Sequence, residues 1–423
     1  MNDELKGRAY DLLRKTEKYT KTDMVYLASG GFWLTLKTIL SALLALGVSV
    51  AFANLISQET YGSYKYVFAL FGILALPTLM GLGTSVVKSV AQGYEGTPMA
   101  LLRAKVLWGL LGSLASVAVA AYYFLNGNME LAGAFAVVAA FLPFVDTFGI
   151  FSTLLTGKQL FKASVLYELV VQIVSSVAVV LALLTTDSLV LILAAYFASM
   201  TLIRLLVLRA VVRKYATNDR VDTEALGYGK HLSVLDVLGT AVEALDGILL
   251  WQFVGAAPLA VYSFAKAIPL QMAGGLKRIA TLAFPRFATR DFESIRKALF
   301  PKLLLLFVFL VALTGAYVIA APYLFALLFP AYLDAVPYTQ LYALTLLLFP
   351  KKIIGTVFGA HGDTRVQYIN SIATLSLKVV LALALIPPYG IMGALVAELI
   401  AQAASLVLIT TLFIRAKTSS EPQ

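Results

Sequence analysis

Twelve apolar stretches follow one another along this chain. Each is near the ~20 residues that a helix needs to cross a bilayer. They lie at about 28–54, 62–88, 100–125, 129–156, 163–185, 188–212, 231–254, 258–285, 300–321, 335–360, 366–386 and 390–414, and most connections between them are very short. The chain is 60% apolar and 13% charged, whereas soluble chains run at about 45–50% and about 25%. A soluble fold is therefore excluded. In lipid, the backbone satisfies its own polar groups only in a helix or a closed barrel, and runs of this length are helical. The expected fold is an all-α polytopic membrane protein with twelve transmembrane helices.

Basic residues set the expected topology. All but four of the 33 Lys and Arg fall in the N-terminal segment, in or beside every second connection, or in the C-terminal tail. Lys88, Arg103 and Lys105 flank the connection after the second stretch, and Arg204, Arg209, Arg213, Lys214, Arg220 and Lys230 flank the one after the sixth. The alternate connections, such as 56–60, 126–130 and 387–390, contain none. By the positive-inside rule both termini are cytoplasmic and the protein resides in the cell's inner (cytoplasmic) membrane. The same distribution accounts for the net charge of +10, so no nucleic-acid partner is expected. The first residues are charged, with no apolar core or small-residue cleavage site, and no cleavable signal is expected. Residues 1–22 read equally as a solvated basic segment or as an interfacial amphipathic helix against membrane lipids.

The connection 214–229 divides six stretches from six. It separates an N-lobe at 23–213 from a C-lobe at 230–416, with a tail at 417–423. The halves share features in the same order. Residues 54–64 and 252–262 are short outer turns ending in Tyr, each followed within a helical turn by a lysine, Lys65 or Lys266. Residues 156–158 and 361–363 are matching inner turns. Two six-helix lobes in parallel repeat are expected.

The chemistry available is narrow. There is no Cys, and His231 and His361 are too far apart in sequence for a metal site. No phosphate-binding GxxxxGK[ST] string is present. A membrane polysaccharide polymerase or glycosyltransferase needs an extramembrane catalytic surface, and the largest outer connections are about a dozen residues without a basic side chain. No enzyme, catalytic residue, metal or cofactor is expected; the function class is transport.

The informative residues are the charges inside the stretches. Each costs about 2.5–3.5 kcal/mol at mid-bilayer on insertion scales. The four lysines that topology leaves unexplained are Lys37, Lys65, Lys266 and Lys378. The acids are Asp146, Glu168, Asp236, Glu243, Asp246 and Glu398. Asp236, Thr240, Glu243 and Asp246 form one stripe on a helix, as do Ser263, Lys266, Gly274, Lys277 and Thr281 on the next. Glu168 shares a stripe with Ser164, Gln172 and Ser175, and Asp146 follows Pro143 by one turn. Two readings stand side by side: a wet interior lined with lysines, or charge pairing for structure, with Lys266 against Asp246 and Lys378 against Glu398. The acids can likewise neutralise lysines or carry a coupling H⁺ or Na⁺. Tyr61, Tyr64 and Tyr262 read as interfacial anchors or as sugar-stacking rings.

The outer turn Gln58-Glu59-Thr60-Tyr61-Gly62-Ser63-Tyr64, with Leu82-Gly83 and Lys88 after it, resembles the first hairpin of polysaccharide flippases. So does the counterpart at 245–268, followed by Phe284-Pro285-Arg286. The resemblance is to the Wzx-like, polysaccharide-transport branch of the multidrug/oligosaccharidyl-lipid/polysaccharide (MOP) exporter superfamily, and it spans nearly the whole chain. It implies a V-shaped pair of lobes around a central cavity. It also implies alternating access and movement of a polyprenyl-phosphate- or pyrophosphate-linked oligosaccharide to the outer leaflet. Lys37, Lys378, Lys65 and Lys266 would then be the phosphate-binding groups. The protein would be a monomer alongside the glycosyltransferases and polymerase of its pathway. The alternative within the superfamily is a cation-coupled multidrug or small-molecule exporter.

Overall fold

The computed structural model describes residues 24–79, 81–288 and 291–416, with side chains throughout except at 24–30, 228, 230–238, 278–286, 288 and 364. The expected segments 1–22 and 417–423 lie outside these residues. The described residues form helices joined by turns and short irregular connections, with no strand among them. The helices are α1 (Met24–Leu55), α2 (Gln58–Leu74), α3 (Leu82–Ala91), α4 (Thr97–Leu125), α5 (Met129–Val145), α6 (Phe151–Gly157), α7 (Phe161–Thr185), α8 (Leu189–Tyr215), α9 (Ala225–Phe253), α10 (Ala256–Ala288), α11 (Phe292–Leu328), α12 (Val336–Ala343), α13 (Pro350–Ala360) and α14 (Thr364–Arg415). Among the described residues, eight helical segments are long and apolar enough to cross a membrane, or nine if the bent pair Gln58–Leu74 and Leu76–Ala91 forms one span.

Several expected spans are interrupted, and the interruptions have causes. The stretch at 62–88 bends at a 3₁₀ turn, Leu76–Thr78, that contains Pro77. The stretch at 129–156 breaks after Pro143, which has no N–H for the ladder. The carbonyl that Pro143 leaves unpaired is that of Ala139, and the Ser113 hydroxyl donates to it. The stretch at 335–360 is divided by a 3₁₀ segment, Leu344–Leu348, ahead of Pro350. The last two stretches are the two helical arms of α14, which meet at a non-helical Gly390 whose φ of 55° and ψ of −127° only glycine tolerates.

The chain resolves into two compact units. The first comprises 24–49, 75–186 and 190–234. Its tightest pairing is α4 on α5, where small residues let the backbones approach. A Cβ on Gly109 would lie 2.8 Å from Pro143 Cα, and Ser116 donates to the Phe135 carbonyl at 2.8 Å. A second core joins Leu82, Val86, Leu154, Leu155, Leu208 and Val211.

At one end of this unit the connection after α8 is bound down. Glu95 accepts from Lys158 Nζ at 2.6 Å, from the Thr217 N–H at 2.6 Å and from the Thr217 hydroxyl at 2.9 Å. Lys158 also donates to the Tyr215 carbonyl, and the Gly96 N–H to that of Arg220, both at 2.8 Å. Burial pushes the Glu95 carboxyl up, but these hydrogen bonds and the Lys158 charge outweigh it and hold the group below its ordinary value. Ser89 donates to Asp222 at 2.6 Å, which, with backbone N–H groups, likewise lowers the Asp222 carboxyl.

The second unit comprises 50–74, 187–189 and 235–416. In it the two turns matched by the sequence repeat touch. Gly62 of α2 lies against the start of α10 so closely that a Cβ there would be 1.8 Å from the Ala256 carbonyl oxygen. Around this crossing Tyr61 stacks on Phe264 at 4.6 Å, and Phe264 meets Tyr332 at 4.1 Å. Gln58 and Asn54 donate to the Ala331 and Leu328 carbonyls at 2.6 Å and 3.2 Å. Tyr61, Tyr64 and Tyr262 are all buried here. Tyr61 and Tyr64 serve packing around the crossing, while the Tyr262 hydroxyl is engaged by charged side chains.

Candidate functional site

The short connection between α9 and α10 brings Asp246 against Tyr262 and Lys266, and the fold of α14 at Gly390 brings Lys378 and Glu398 of its two arms side by side. The result is a buried charge cluster in the second unit. Lys378 Nζ lies 2.7 Å from Glu398 Oε2 and 3.0 Å from Asp246 Oδ2. Asp246 Oδ2 also accepts from the Tyr262 hydroxyl at 2.8 Å, and Lys266 Nζ stands 3.9 Å away. Lys266 donates to the Tyr262 hydroxyl at 2.9 Å and sits over the Tyr262 and Tyr342 rings. The side chains of Asp246, Glu398 and Lys378 are 2%, 10% and 11% exposed. Two ammonium groups face two carboxylates, so the cluster is neutral as a whole, which is the condition for keeping such charges out of water.

The cluster continues as a polar chain. Glu398 Oε1 accepts from Gln402 Nε2 at 2.6 Å, and Gln402 in turn accepts from Lys351 of α13. Lys351, Gln402, Glu398, Lys378, Asp246, Tyr262 and Lys266 thus link four helices, α9, α10, α13 and α14. Asp246 Oδ1 is buried and accepts no hydrogen bond among the described residues. Glu243, one turn away on α9, is exposed. The side chain of Asp236 lies outside the described residues. Lys65 stands apart from the cluster's ion pairs, with its ammonium 5.1 Å from the centre of the Tyr61 ring.

The first unit holds two further pairs. Lys37 of α1 pairs with Glu168 of α7, and one turn on Ser41 donates to Gln172 Oε1 at 2.6 Å. These two rungs join α1 to α7 along the polar stripe read from the sequence. The Lys37 and Glu168 side chains keep 35% and 24% exposure, so this pair is open to an exchange of partners. At the α5–α6 break, Arg204 of α8 donates through Nη1 to the Val145 carbonyl and, at 3.1 Å, to Asp146.

The structure therefore brings Lys266, Lys378, Asp246 and Glu398 together, gives Glu168 to Lys37, and gives Asp146 a guanidinium that sequence reasoning missed. Arg204 and Lys105, which flank inner connections in the sequence, lie within α8 and α4. The Pro143 break, which frees backbone carbonyls for a donor, was the available signal. Lys351 and Gln402 were missed because only the packing of α13 on α14 aligns them.

A family model described as "Polysaccharide biosynthesis protein" matches residues 27–291. No curated protein matches the chain. Among solved structures, "Lipid II flippase MurJ, inward closed conformation" is similar with a TM-score of 0.71 at 13% identity, over 90% of this chain and 86% of that one. An inward-facing multidrug resistance MATE family transporter of the MOP superfamily gives 0.64 at 14% identity, over 90% and 96%. A MOP superfamily transporter from Pyrococcus furiosus, described as having a binding pocket of reverse polarity, gives 0.55 at 15%, over 93% and 95%. At these identities the likeness is one of fold.

Proposed function

The chain belongs to the polysaccharide biosynthesis protein family of MOP-superfamily membrane transporters, and on that premise we propose that it is a flippase for a polyprenyl-(pyro)phosphate-linked oligosaccharide. The observation that carries this reading is the convergence of Lys266 and Lys378 on the single carboxylate Asp246 within membrane-length helices. Lysine holds phosphate as a mobile point charge, and a phosphate group can compete with Asp246 and Glu398 for these ammonium groups. Lys37, with its half-open pair to Glu168, is the corresponding group in the first unit, and Lys65 is a fourth contact. Release follows when the carboxylates take their lysines back. The shared fold with a lipid II flippase supports the reading. Cytoplasmic termini, the inner membrane, alternating access, monomeric action and the company of glycosyltransferases and a polymerase complete it.

We further assign coupling to Asp246 ahead of Glu243, Glu398, Glu168, Asp146 and Asp236, because its Oδ1 is buried without a donor, whereas Glu398 Oε2 lies 2.7 Å from the Lys378 ammonium. A proton or Na⁺ taken up there would loosen Lys378 and Lys266. Transport that is equal with and without either gradient refutes this assignment.

The fold of the MATE transporters favours one other reading, export of a small cationic molecule. Binding separates the two. The purified chain is expected to bind a polyprenyl-pyrophosphate-linked oligosaccharide in native mass spectrometry, with Lys37→Gln weakening it. Selective binding of a cationic dye instead refutes the flippase reading.

A further inference from the structure

We propose that the first unit carries an anion site of its own at the break between α5 and α6, built by Lys105 and Arg204 and taking a phosphate group. This does not rest on the flippase reading. Register places the residues. Ser116 meets Phe135, Ser113 meets Ala139, and Gly109 meets Pro143, so the antiparallel pairing of α4 and α5 sets Lys105 level with Thr147, where the helix has broken. Arg204 reaches the same level from α8 and takes the Val145 carbonyl and Asp146. Lys105 is 7% exposed. Among the described residues no carboxylate lies within 4 Å of its Nζ, and it donates no hydrogen bond. Asp146 and Arg204 are the charges that act on it.

The cluster therefore has two cations and one acid, and the acid is already engaged by Arg204. The Lys105 side chain is mostly buried while its Nζ keeps contact with solvent; an ammonium so placed lacks a counter-charge, which an anion would supply. The geometry suits phosphate. Nε and Nη2 of Arg204 donate to nothing among the described residues, leaving part of the guanidinium fork open. Gly149 lies under that guanidinium, with no side chain to cover it. Arg204 and Asp146 are 22% and 34% exposed, so the site has a mouth. Lys105 lies eight residues into α4, about 12 Å from its N-terminal end, within reach of a lipid headgroup for an upturned ammonium. The ligand class is a phosphate-bearing anion, either a lipid headgroup or free phosphate.

The test titrates the full chain in neutral detergent with phosphatidylglycerol, with phosphatidylcholine, or with inorganic phosphate. Readouts are the unfolding midpoint and native mass spectrometry. Phosphatidylglycerol is expected to raise the midpoint, with Lys105→Met weakening the apparent affinity about tenfold, the loss of one charge-assisted contact. Asp146→Asn removes the competing carboxylate and is expected to tighten binding, an effect that misfolding cannot imitate. Lys297→Met, on an exposed side chain of the second unit, is the neutral control. Inorganic phosphate acting alone and through Lys105 would identify the free anion as the source and uphold the site. Binding unchanged in both Lys105→Met and Arg204→Met, or weakened in Asp146→Asn, overturns it.

Discussion

Replacing Lys378 with Met should expose how the second unit keeps its charges. Lys378 lies 2.7 Å from Glu398 and 3.0 Å from Asp246, all three side chains nearly sealed from solvent. Methionine fills the same volume but removes the ammonium, leaving two carboxylates with only Lys266, 3.9 Å from Asp246. Breaking such a buried pair costs about 3–5 kcal/mol. The protein has one escape, which is to protonate a carboxylate. From an ordinary value near 4.3, doing so at pH 7 costs about 2.7 units of 1.36 kcal/mol, or roughly 3.7 kcal/mol. The expected destabilisation is therefore about 3–4 kcal/mol, the lower of the two routes. Glu398→Gln added to Lys378→Met restores neutrality, so the double variant should recover most of the loss, with a coupling of about 2 kcal/mol or more. Reversible unfolding in sodium dodecyl sulfate mixed micelles reads all four corners of the cycle. Additive effects, with coupling below about 0.5 kcal/mol, would refute the buried-cluster reasoning.

Three further outcomes follow from named contacts. Gly62→Ala drives a methyl into the Ala256 carbonyl and should destabilise by about 3 kcal/mol or more; native-like unfolding of this variant would contradict the close α2–α10 crossing. Ser113→Ala leaves the Ala139 carbonyl unpaired beneath Pro143 and should cost about 1–3 kcal/mol in the same assay, while Ser113→Thr, which keeps the hydroxyl, should cost less. Glu95 has its folded value below the ordinary 4.5, so its contribution is complete above that pH and is lost as pH falls through the lower folded value. Unfolding of the native chain should therefore steepen with acid below pH 4.5 relative to Glu95→Gln, and parallel pH profiles would show that Glu95 is not tied down as described.

Much of this molecule can be read before its coordinates. Long apolar runs in lipid read as helices, and matching depths offer a pairing of Lys266 with Asp246 and of Lys378 with Glu398 as one of two readings. What depth cannot supply is lateral register. That both lysines share Asp246, and that Gln402 ties Glu398 to Lys351, depends on how α9, α10, α13 and α14 rotate about their axes, which tertiary packing sets. Counting basic residues near helix ends also leaves unread that Arg204 reaches Asp146 beside a buried Lys105, because such a tally does not say whether a side chain points to water or into the helix bundle. The tyrosines at the outer turns failed differently. Tyr61, Tyr64 and Tyr262 have the composition of an interfacial belt, yet Gly62 lets α2 close on α10 with Tyr61 and Tyr64 buried beside it, and Tyr262 is buried against Asp246 and Lys266.

The most direct test of the account is flipping itself. The purified chain is reconstituted in sealed liposomes carrying a fluorescent polyprenyl-pyrophosphate-linked oligosaccharide on one leaflet, and a membrane-impermeant glycosidase reports what reaches the other. The account predicts protein-dependent crossing that falls sharply in Lys37→Gln. Crossing no faster than in empty liposomes, together with uptake of a cationic dye by the same vesicles, would contradict it.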